Sequence, residues 1–394
     1  MGMFLNSRIP FDLYASAATE KYFVDKSNLI SELIPALGKS QRFFCITRPR
    51  RFGKSMMANM VGAFFEKTAD AGTLFSALNI ASPQTAEKLQ QEGCKSYDAY
   101  LNRYDVIYID FSELPENCDS YPMYITRIIK GLKQDLAEAY SKHYPDADQS
   151  LWDILKIIYQ KTGTRFIFIM DEWDAVFHMD FVTDSDQKAF ILFLKQLLKD
   201  KVYAELAYMT GVLPIAKYSD GSELNMFAEY NIAVSKRFSS YFGFSREETD
   251  RLYSIYKQTC KNAAFTREEL RIWYDGYHTA EGSQLYNPRS VICALTNNQL
   301  QNYWTSSGTY DSVFEFLKDS TDDIRDDILL LFAGESVPSD ICEYAASSMR
   351  LETKDEIYSA MVVYGLLTYQ DGFVSIPNKE LTDSFASMIA AGRF

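Results

Sequence analysis

The sequence predicts an α/β protein in which a mostly parallel sheet is covered by helices on both faces. Short apolar runs rich in aromatic and β-branched residues recur along the first half of the chain, and segments with helical periodicity separate them. Strands that alternate with helices are joined by crossovers, which makes them parallel in one sheet. The length of 394 residues exceeds one ordinary core, so two or three domains are expected.

The predicted elements follow from local patterns along the chain. Strands are predicted over residues 43–47, 106–110, 166–170 and 207–210, with a fifth near 231–234. Helices are predicted over residues 54–65, 123–140 and 186–198, and Ser245 with Glu248 forms a capping box that opens another helix. A helix over 354–364 precedes a hairpin signal at Asp371–Gly372, and together they resemble the helix and wing of a winged helix.

Charge is distributed unevenly along the chain, which carries a net −13. Residues 1–60 carry a net +5, from nine basic and four acidic residues, and could hold a polyphosphate. Residues 311–394 carry a net −10, from six basic and sixteen acidic residues, and would repel the phosphates of nucleic acids. Nucleic-acid binding through the wing is therefore an alternative that the charge pattern does not favour.

The sequence lacks the features of membrane, secreted and zinc-binding proteins. No run of about 18 apolar residues occurs, and no apolar segment follows a basic start, so neither a membrane span nor a secretory signal is expected. The six cysteines are scattered without a CxxC pair, and the three histidines show no metal-ligand spacing. We therefore expect a cytoplasmic protein with reduced thiols.

A phosphate-binding loop is predicted between the first strand and the helix that follows it, in the sequence TRPRRFGKS at residues 47–55. Main-chain N–H groups at a helix N-terminus bind anions, and the helix dipole favours negative charge there. In such a P-loop, Gly53 lets the backbone approach the phosphates, Lys54 pairs with the β- and γ-phosphates, and Ser55 binds Mg²⁺. The residues expected to bind the nucleotide here are Arg50, Arg51, Phe52, Gly53, Lys54, Ser55 and Met56.

The loop departs from the general pattern GxxxxGK[ST], because Arg48 stands where the first glycine is expected. Pro49 would then set part of the shape of the loop. On the loop alone, an ordinary basic turn that contains GKS by chance remains an alternative interpretation.

An acidic pair at the end of the third predicted strand favours the nucleotide interpretation. The apolar run over residues 166–170 ends in Asp171–Glu172, which is the Walker B arrangement. Asp171 would hold Mg²⁺, and Glu172 would polarise the attacking water as a general base. Both are expected at the carboxyl end of a strand beside the P-loop strand, although a strand that merely ends in solvated acids is the alternative. Together the two motifs predict ATP and Mg²⁺ as ligands.

Further polar residues are candidates for chemistry at the γ-phosphate. Thr210 ends the fourth predicted strand and could orient the water, or its hydroxyl could cap its own backbone. Arg48, Arg50 and Arg51 could bind the γ-phosphate as arginine fingers, or they could pair with acids on a partner domain.

These motifs resemble those of the bacterial AAA-ATPase-like family, a divergent P-loop group related to the AAA+ and STAND ATPases. The resemblance extends over nearly the whole chain, and the missing first glycine of the loop matches this family. It rests on YFVDK at 22–26, RPRRFGKS at 48–55, MDEWD at 170–174, MTGV at 209–212, WYDGY at 273–277, YNP at 286–288, YW at 303–304, YGLLT at 364–368 and IPN at 376–378.

The resemblance implies an αβα ATPase core over residues 1–244, a helical lid over 245–310 and a winged-helix-like region over 311–394. It implies that Asp25 lies near the adenine. Pro288 is the best lid residue for contacting the base, with an ordinary first-turn proline as the alternative. Many members of the family carry a PD-(D/E)XK nuclease-like domain after this region, and because its motif does not follow here, no nuclease activity is expected.

The leading hypothesis is a Mg²⁺-dependent ATPase that acts as a conformational switch. The alternative is a nucleotide-binding sensor or scaffold with little turnover, since Arg48 in place of glycine could impair catalysis while binding survives. A protein partner and an oligomer are both compatible with the sequence, and neither is identified by it.

Overall fold

A five-stranded sheet forms the centre of the computed structural model, which describes residues 2–145, 148–215, 223–304, 322–341 and 353–390. Its strands are β1 (Phe43–Thr47), β2 (Asp105–Asp110), β3 (Phe166–Asp171), β4 (Ala204–Gly211) and β5 (Ala228–Tyr230). Their order across the sheet is β2-β3-β4-β1-β5, and the β2–β3 and β3–β4 ladders are parallel. The predicted α/β class is confirmed.

Two of the helices that accompany this sheet precede β1 in the chain, and the others lie between its strands. They are α1 (Ile9–Ala18), α2 (Leu29–Leu33), α3 (Lys54–Phe65), α4 (Gly72–Ser76), α5 (Pro83–Gln91), α6 (Tyr121–Ala139), α7 (Leu151–Thr162) and α8 (Asp184–Leu198). Every residue of β1 and of β3 is buried, as expected for parallel strands that are covered on both faces. Burial of these strands holds their ends in place, and the polar residues of the predicted site lie at those ends.

Two expectations about the sheet are wrong. The fifth strand lies at Ala228–Tyr230 instead of 231–234, because Asn231 turns the chain: its side-chain Oδ1 accepts a hydrogen bond from the Val234 N–H at 2.8 Å. The acidic pair was expected on a strand beside the P-loop strand, whereas β4 lies between β3 and β1. The end of β4 therefore lies between the strand that precedes the P-loop and the strand that carries the acidic pair.

The described residues cluster into two compact units. The first contains the parts of 1–46, 54–211 and 218–229 that the structure describes, and the second contains those of 47–53, 212–217 and 230–394. The segment 47–53, which is most of the predicted P-loop, therefore belongs to the second unit, whereas Lys54 and Ser55 belong to the first.

The second unit is mainly helical, with two small antiparallel sheets. Its elements are α9 (Arg246–Thr259), α10 (Arg267–Tyr274), β6 (Tyr277–His278), β7 (Gln284–Leu285), α11 (Pro288–Asn297), α12 (Asp322–Phe332), β8 (Val337–Pro338), α13 (Lys354–Tyr364), β9 (Thr368–Gln370), β10 (Phe373–Ser375) and α14 (Lys379–Ala390). Strand β6 pairs with β7, and β8, β10 and β9 form a three-stranded sheet. The predicted capping box at Ser245 and Glu248 is present at the start of α9.

The C-terminal helix and hairpin occur where the sequence placed them. Helix α13 spans Lys354–Tyr364, and β9 and β10 flank Asp371–Gly372 in antiparallel register. The assignment as a winged helix stays a prediction, as do the three domain boundaries, and residues 305–321 and 342–352 of this region lie outside the described part. None of the helices described is both long and apolar enough to cross a membrane.

One turn of the second unit requires glycine, and this can be tested. Gly276 has φ +101°, and a Cβ placed there would lie 2.0 Å from the main-chain oxygen of Pro377, so Gly276→Ala combines backbone strain with a clash that no side chain can relieve. We expect it to lower the free energy of unfolding by about 3 kcal/mol, measured by chemical denaturation of this unit's transition.

Gly282 is the matched control, because it has φ +80° and no atom within 4 Å of an added Cβ. Gly282→Ala should cost about 1 kcal/mol through backbone strain alone. Equal losses in the two variants would show that the contact with Pro377 does not constrain this turn.

Candidate functional site

Lys54 and Ser55 lie in the first turn of α3, directly after the loop that leaves β1. The first N–H groups of any helix lack partners within the helix, and the helix dipole makes this end positive. Lys54 is nevertheless buried, with 3% of its side chain exposed, whereas Ser55 and Met56 are half-buried. A buried ammonium at a helix N-terminus creates an electrostatic potential that favours an anion.

Asp171 and Glu172 lie at the carboxyl end of β3, as predicted. The Asp171 side chain is buried, accepts a hydrogen bond from the Glu172 N–H at 3.0 Å and interacts with the Ser55 side chain. The Nζ atom of Lys54 lies 3.9 Å from Oε1 of Glu172, whose side chain is about one-third exposed (32%). The structure thus brings together the four residues that the two motifs singled out.

Burial, assisted by the negative charge of Glu172, raises the pKa of Asp171 to about 7. The nearby Ser55 side chain and the charge of Lys54 act to lower the pKa, but they do not outweigh burial. Glu172 itself has φ +48°, a left-handed backbone conformation that is uncommon for residues other than glycine. Strain of this kind, at a buried cluster of charges, is typical of functional sites.

Thr210 is the next-to-last residue of β4, the strand between those that carry the two motifs. Its side chain has no exposed surface, and within the described part of the chain its Oγ1 atom has no hydrogen-bond partner. Its main-chain oxygen accepts a hydrogen bond from the Trp173 N–H at 3.1 Å, which ties the end of β4 to the turn after Glu172. A buried hydroxyl without a partner is costly, so this atom suits a water or ligand oxygen.

Two residues of β2 were not predicted as part of the site. Asp110 pairs in register with Asp171, and the Tyr108 side chain interacts electrostatically with Asp171. Burial raises the pKa of this tyrosine, so it stays protonated and can donate to the carboxylate. Asp110 could have been identified because it also ends a predicted strand, but no pattern in the sequence singles out Tyr108.

The residues of the loop itself are held by the second unit. Arg48, which is 1% exposed, donates hydrogen bonds to the main-chain oxygens of Thr47, Tyr230 and Phe238, and its guanidinium lies 4.8 Å from the centre of the Phe242 ring. The side chain that replaces the first glycine of the general P-loop therefore supports the loop, and this geometry does not favour a role as an arginine finger.

Arg51 and Phe52 are also engaged within the second unit. The Arg51 guanidinium donates to the main-chain oxygen of Tyr303, and the buried Phe52 ring contacts Tyr277 edge to face at 4.9 Å. Arg50 is half-buried. Positive φ angles at Arg51 (+71°) and Gly53 (+88°) give the loop its turn immediately before Lys54.

The two residues predicted to contact the base have other described roles. The Asp25 carboxylate accepts hydrogen bonds from the N–H groups of Ser27 at 2.8 Å and Asn79 at 2.6 Å, within the first unit. Pro288 opens α11 after Asn287, whose side chain accepts from Ser290 N–H at 3.2 Å. Contacts of Asp25 and Pro288 with adenine therefore stay predictions.

The donors at the site fit Mg²⁺ held jointly with a nucleotide. Among the described residues, no group of three or more His, Cys, Asp or Glu side chains is arranged to hold a metal ion. The Ser55 hydroxyl and the Asp171 carboxylate are neighbouring hard oxygen ligands, and Mg²⁺ usually takes one or two such ligands together with phosphate oxygens and water.

Comparison with known proteins gives one curated relative and several solved structures. The chain is 24% identical over 294 residues to an uncharacterised protein in the vnfD 5′ region of Azotobacter chroococcum mcd 1, covering 73% of this chain and 51% of the relative. This chain therefore spans about half the length of that relative. The sequence of this relative carries no assigned activity.

Among solved structures, the Walker-type ATPase PABY2304 of Pyrococcus abyssi is similar with a TM-score of 0.43 and 10% identity, over 92% of this chain and 94% of that one. The ORC2 protein of Aeropyrum pernix, in ADPNP–ADP complexes, is similar with a TM-score of 0.33 and 10% identity, over 98% and 95%. Similarity at this level carries no conclusion about function.

A family model supplies the firmer assignment. The model described as "Predicted AAA-ATPase" matches residues 14–219, a range that includes both predicted motifs, β4 and all of the site residues of the first unit described above. Because this match covers just over half of the 394 residues, the chain belongs to the AAA-ATPase-like family.

Proposed function

We propose that the protein binds ATP with Mg²⁺ at the N-terminus of α3 and hydrolyses the bond between the β- and γ-phosphates. The observation that supports this most directly is the cluster of Lys54, Ser55, Asp171 and Glu172, in which Lys54 and Asp171 are buried and Nζ of Lys54 is 3.9 Å from Oε1 of Glu172. A cation, two carboxylates and a hydroxyl at a helix N-terminus are the groups that phosphoryl transfer requires.

Binding would depend on positive charge at the N-terminus of α3. The N–H groups of the first turn of α3 and the Lys54 ammonium would bind the β- and γ-phosphates, because burial of Lys54 (3% exposed) leaves its charge weakly screened by water. Arg50, Arg51, Phe52, Gly53 and Met56 complete the proposed phosphate-binding set. Contacts of Asp25 and Pro288 with the base belong to the same proposal.

Hydrolysis would use the acidic end of β3 and the hydroxyl of β4. Glu172 would take the proton of the attacking water as general base, since its side chain is about one-third exposed (32%) and can reach solvent. The Thr210 hydroxyl would hold that water in place. Mg²⁺ held by Ser55 and Asp171 would supply positive charge against the developing negative charge on the phosphate oxygens.

The proposed consequence of turnover is a conformational switch. The nucleotide would stabilise one arrangement of the loop before Lys54, and hydrolysis would remove the contacts that favour it. If the chain binds ATP without turnover, the second hypothesis, a nucleotide-dependent sensor or scaffold, replaces the first.

The roles of Lys54 and Glu172 predict different kinetic defects. Lys54→Ala should weaken ATP binding by about tenfold or more, because it removes the buried cation, whereas Glu172→Gln should keep binding and lower turnover about 100-fold. Phosphate release and fluorescent-nucleotide titration measure the two effects. Lys67→Ala is the matched control, because this lysine of the same unit pairs with Asp105 at 2.7 Å, away from the motifs.

Wild-type phosphate release that equals that of both site variants would refute the hydrolysis proposal. Tight binding in the wild type with no release would favour the sensor hypothesis instead.

The Thr210 hydroxyl should affect stability and turnover in opposite directions. Thr210→Val keeps the shape of the side chain and removes a buried hydroxyl that has no partner in the described structure, so the free energy of unfolding should rise by about 1 kcal/mol. Turnover should fall about tenfold with ATP affinity retained, because the attacking water loses one hydrogen bond. Thermal denaturation and steady-state kinetics report both changes, and a variant with unchanged turnover would exclude Thr210 from catalysis.

The raised pKa of Asp171 predicts a pH-dependent cost to the nucleotide-free fold. The folded carboxyl titrates near pH 7, whereas an unfolded aspartate titrates near pH ~3.9, so ionisation opposes folding increasingly between about pH 4 and pH 7. Asp171→Asn should therefore stabilise the protein relative to wild type by about 2 kcal/mol more at pH 8 than at pH 5. Denaturant titrations at the two pH values measure this difference, and a difference that does not change with pH would contradict the pKa assignment.

A further inference from the structure

A buried carboxylate in the second unit is fully supplied with hydrogen-bond donors. Glu380, at the start of α14, has no exposed surface. Its two oxygens accept from the Ser290 hydroxyl at 3.0 and 2.9 Å, and Oε1 also accepts from the N–H groups of Tyr303 at 2.7 Å and Trp304 at 2.9 Å. Glu380 thereby joins α11, α14 and the 303–304 turn.

The same turn holds the P-loop. The N–H of Tyr303 donates to Glu380, and its main-chain oxygen accepts a hydrogen bond from the Arg51 guanidinium. Burial raises the pKa of Glu380 to about 7, and the positive charge of Arg51 is among the groups that counter this rise, so the two side chains interact electrostatically. One residue, Tyr303, therefore joins an arginine of the loop to a carboxylate about 330 positions further along the chain.

The loop needs such support because its backbone is strained. Arg51 has φ +71°, a left-handed conformation that costs about 1 kcal/mol or more for a residue with a side chain. Arg48 stands where the general motif has glycine, and it is held by three main-chain oxygens. The Arg48 contacts hold the beginning of the loop, whereas the Tyr303 and Glu380 contacts hold the residue two positions before Gly53.

We propose that Glu380 is a positioning residue for the P-loop: by fixing the 303–304 turn, it holds Arg51 and so keeps the segment before Lys54 in its binding conformation. This inference rests on the proposed function, because the segment is taken to bind phosphate. Loss of the carboxylate would make the binding conformation a minor one, and apparent affinity falls in proportion to the populated fraction.

The kinetic consequence differs from that of simple destabilisation. If the loop is ordered only part of the time, nucleotide binding must supply the ordering energy, so the apparent Kd rises while turnover at saturating ATP is retained. If Glu380 merely stabilises the second unit, its loss reduces the amount of folded protein, which lowers maximal velocity and leaves the Kd unchanged.

The test uses trypsin, which can cleave after Arg50, Arg51 and Lys54, to measure loop order without any nucleotide. Glu380→Gln and Ser290→Ala should each raise the rate of cleavage in the loop, by about tenfold for Glu380→Gln, as mapped by mass spectrometry. The ATP Kd of Glu380→Gln should rise by about tenfold, with turnover at saturation within about twofold of wild type.

Asp355→Asn is the matched control. Asp355 belongs to the same unit, and its carboxylate accepts hydrogen bonds from the Ser339 hydroxyl at 2.9 Å and the Asp340 N–H at 3.1 Å. The variant therefore loses similar hydrogen bonds in another part of the unit. In Asp355→Asn, the rate of trypsin cleavage in the loop and the Kd for ATP should stay at wild-type values. Loop cleavage in Glu380→Gln equal to that of the control, or reduced maximal velocity with an unchanged Kd, would overturn the proposal.

The trypsin measurement separates the positioning role of Glu380 from the proposed binding and hydrolysis of ATP. Faster cleavage in Glu380→Gln supports the positioning role even if the wild-type protein binds no ATP, in which case only the proposed function fails. Unchanged cleavage with normal ATP turnover in the wild type rejects the positioning role alone.

Discussion

The site depends on opposite charges that are buried together at the carboxyl ends of the strands. Lys54 and Asp171 are each almost completely inaccessible to water, and removing such charges from water costs several kcal/mol unless partners compensate for it. Nζ of Lys54 is 3.9 Å from Oε1 of Glu172, and burial still raises the pKa of Asp171 to about 7. In the complex we propose, a triphosphate with Mg²⁺ would place further opposite charges beside both groups.

The local structure shows how the sequence places these charges despite their cost. Buried apolar strands carry the acids to one edge of the sheet, and α3 starts at Lys54, immediately after a loop with positive φ angles at Arg51 and Gly53. The missing first glycine is compensated by Arg48, whose guanidinium binds three main-chain oxygens. A residue that departs from the general motif thus becomes part of the support of the loop.

Several elements and site residues were predictable because their signals are local. Helix α3 followed from helical periodicity, α13 has the predicted bounds, and the P-loop and acidic motifs identified Lys54, Ser55, Asp171 and Glu172. Strand order was not predictable, because no local pattern records that β4 lies between β3 and β1. For the same reason the contacts of Arg48, Tyr108 and Glu380 were not predictable, since each partner lies far away in the chain.

Calorimetric titration with a non-hydrolysable ATP analogue, with and without Mg²⁺, tests the central claim most directly. We expect one site per chain whose affinity rises at least about tenfold with Mg²⁺. Ser55→Ala combined with Asp171→Asn should abolish this rise, while Lys54 retains weak metal-free binding. Absence of binding at millimolar nucleotide, or a rise with Mg²⁺ that survives loss of both oxygen ligands, would contradict it.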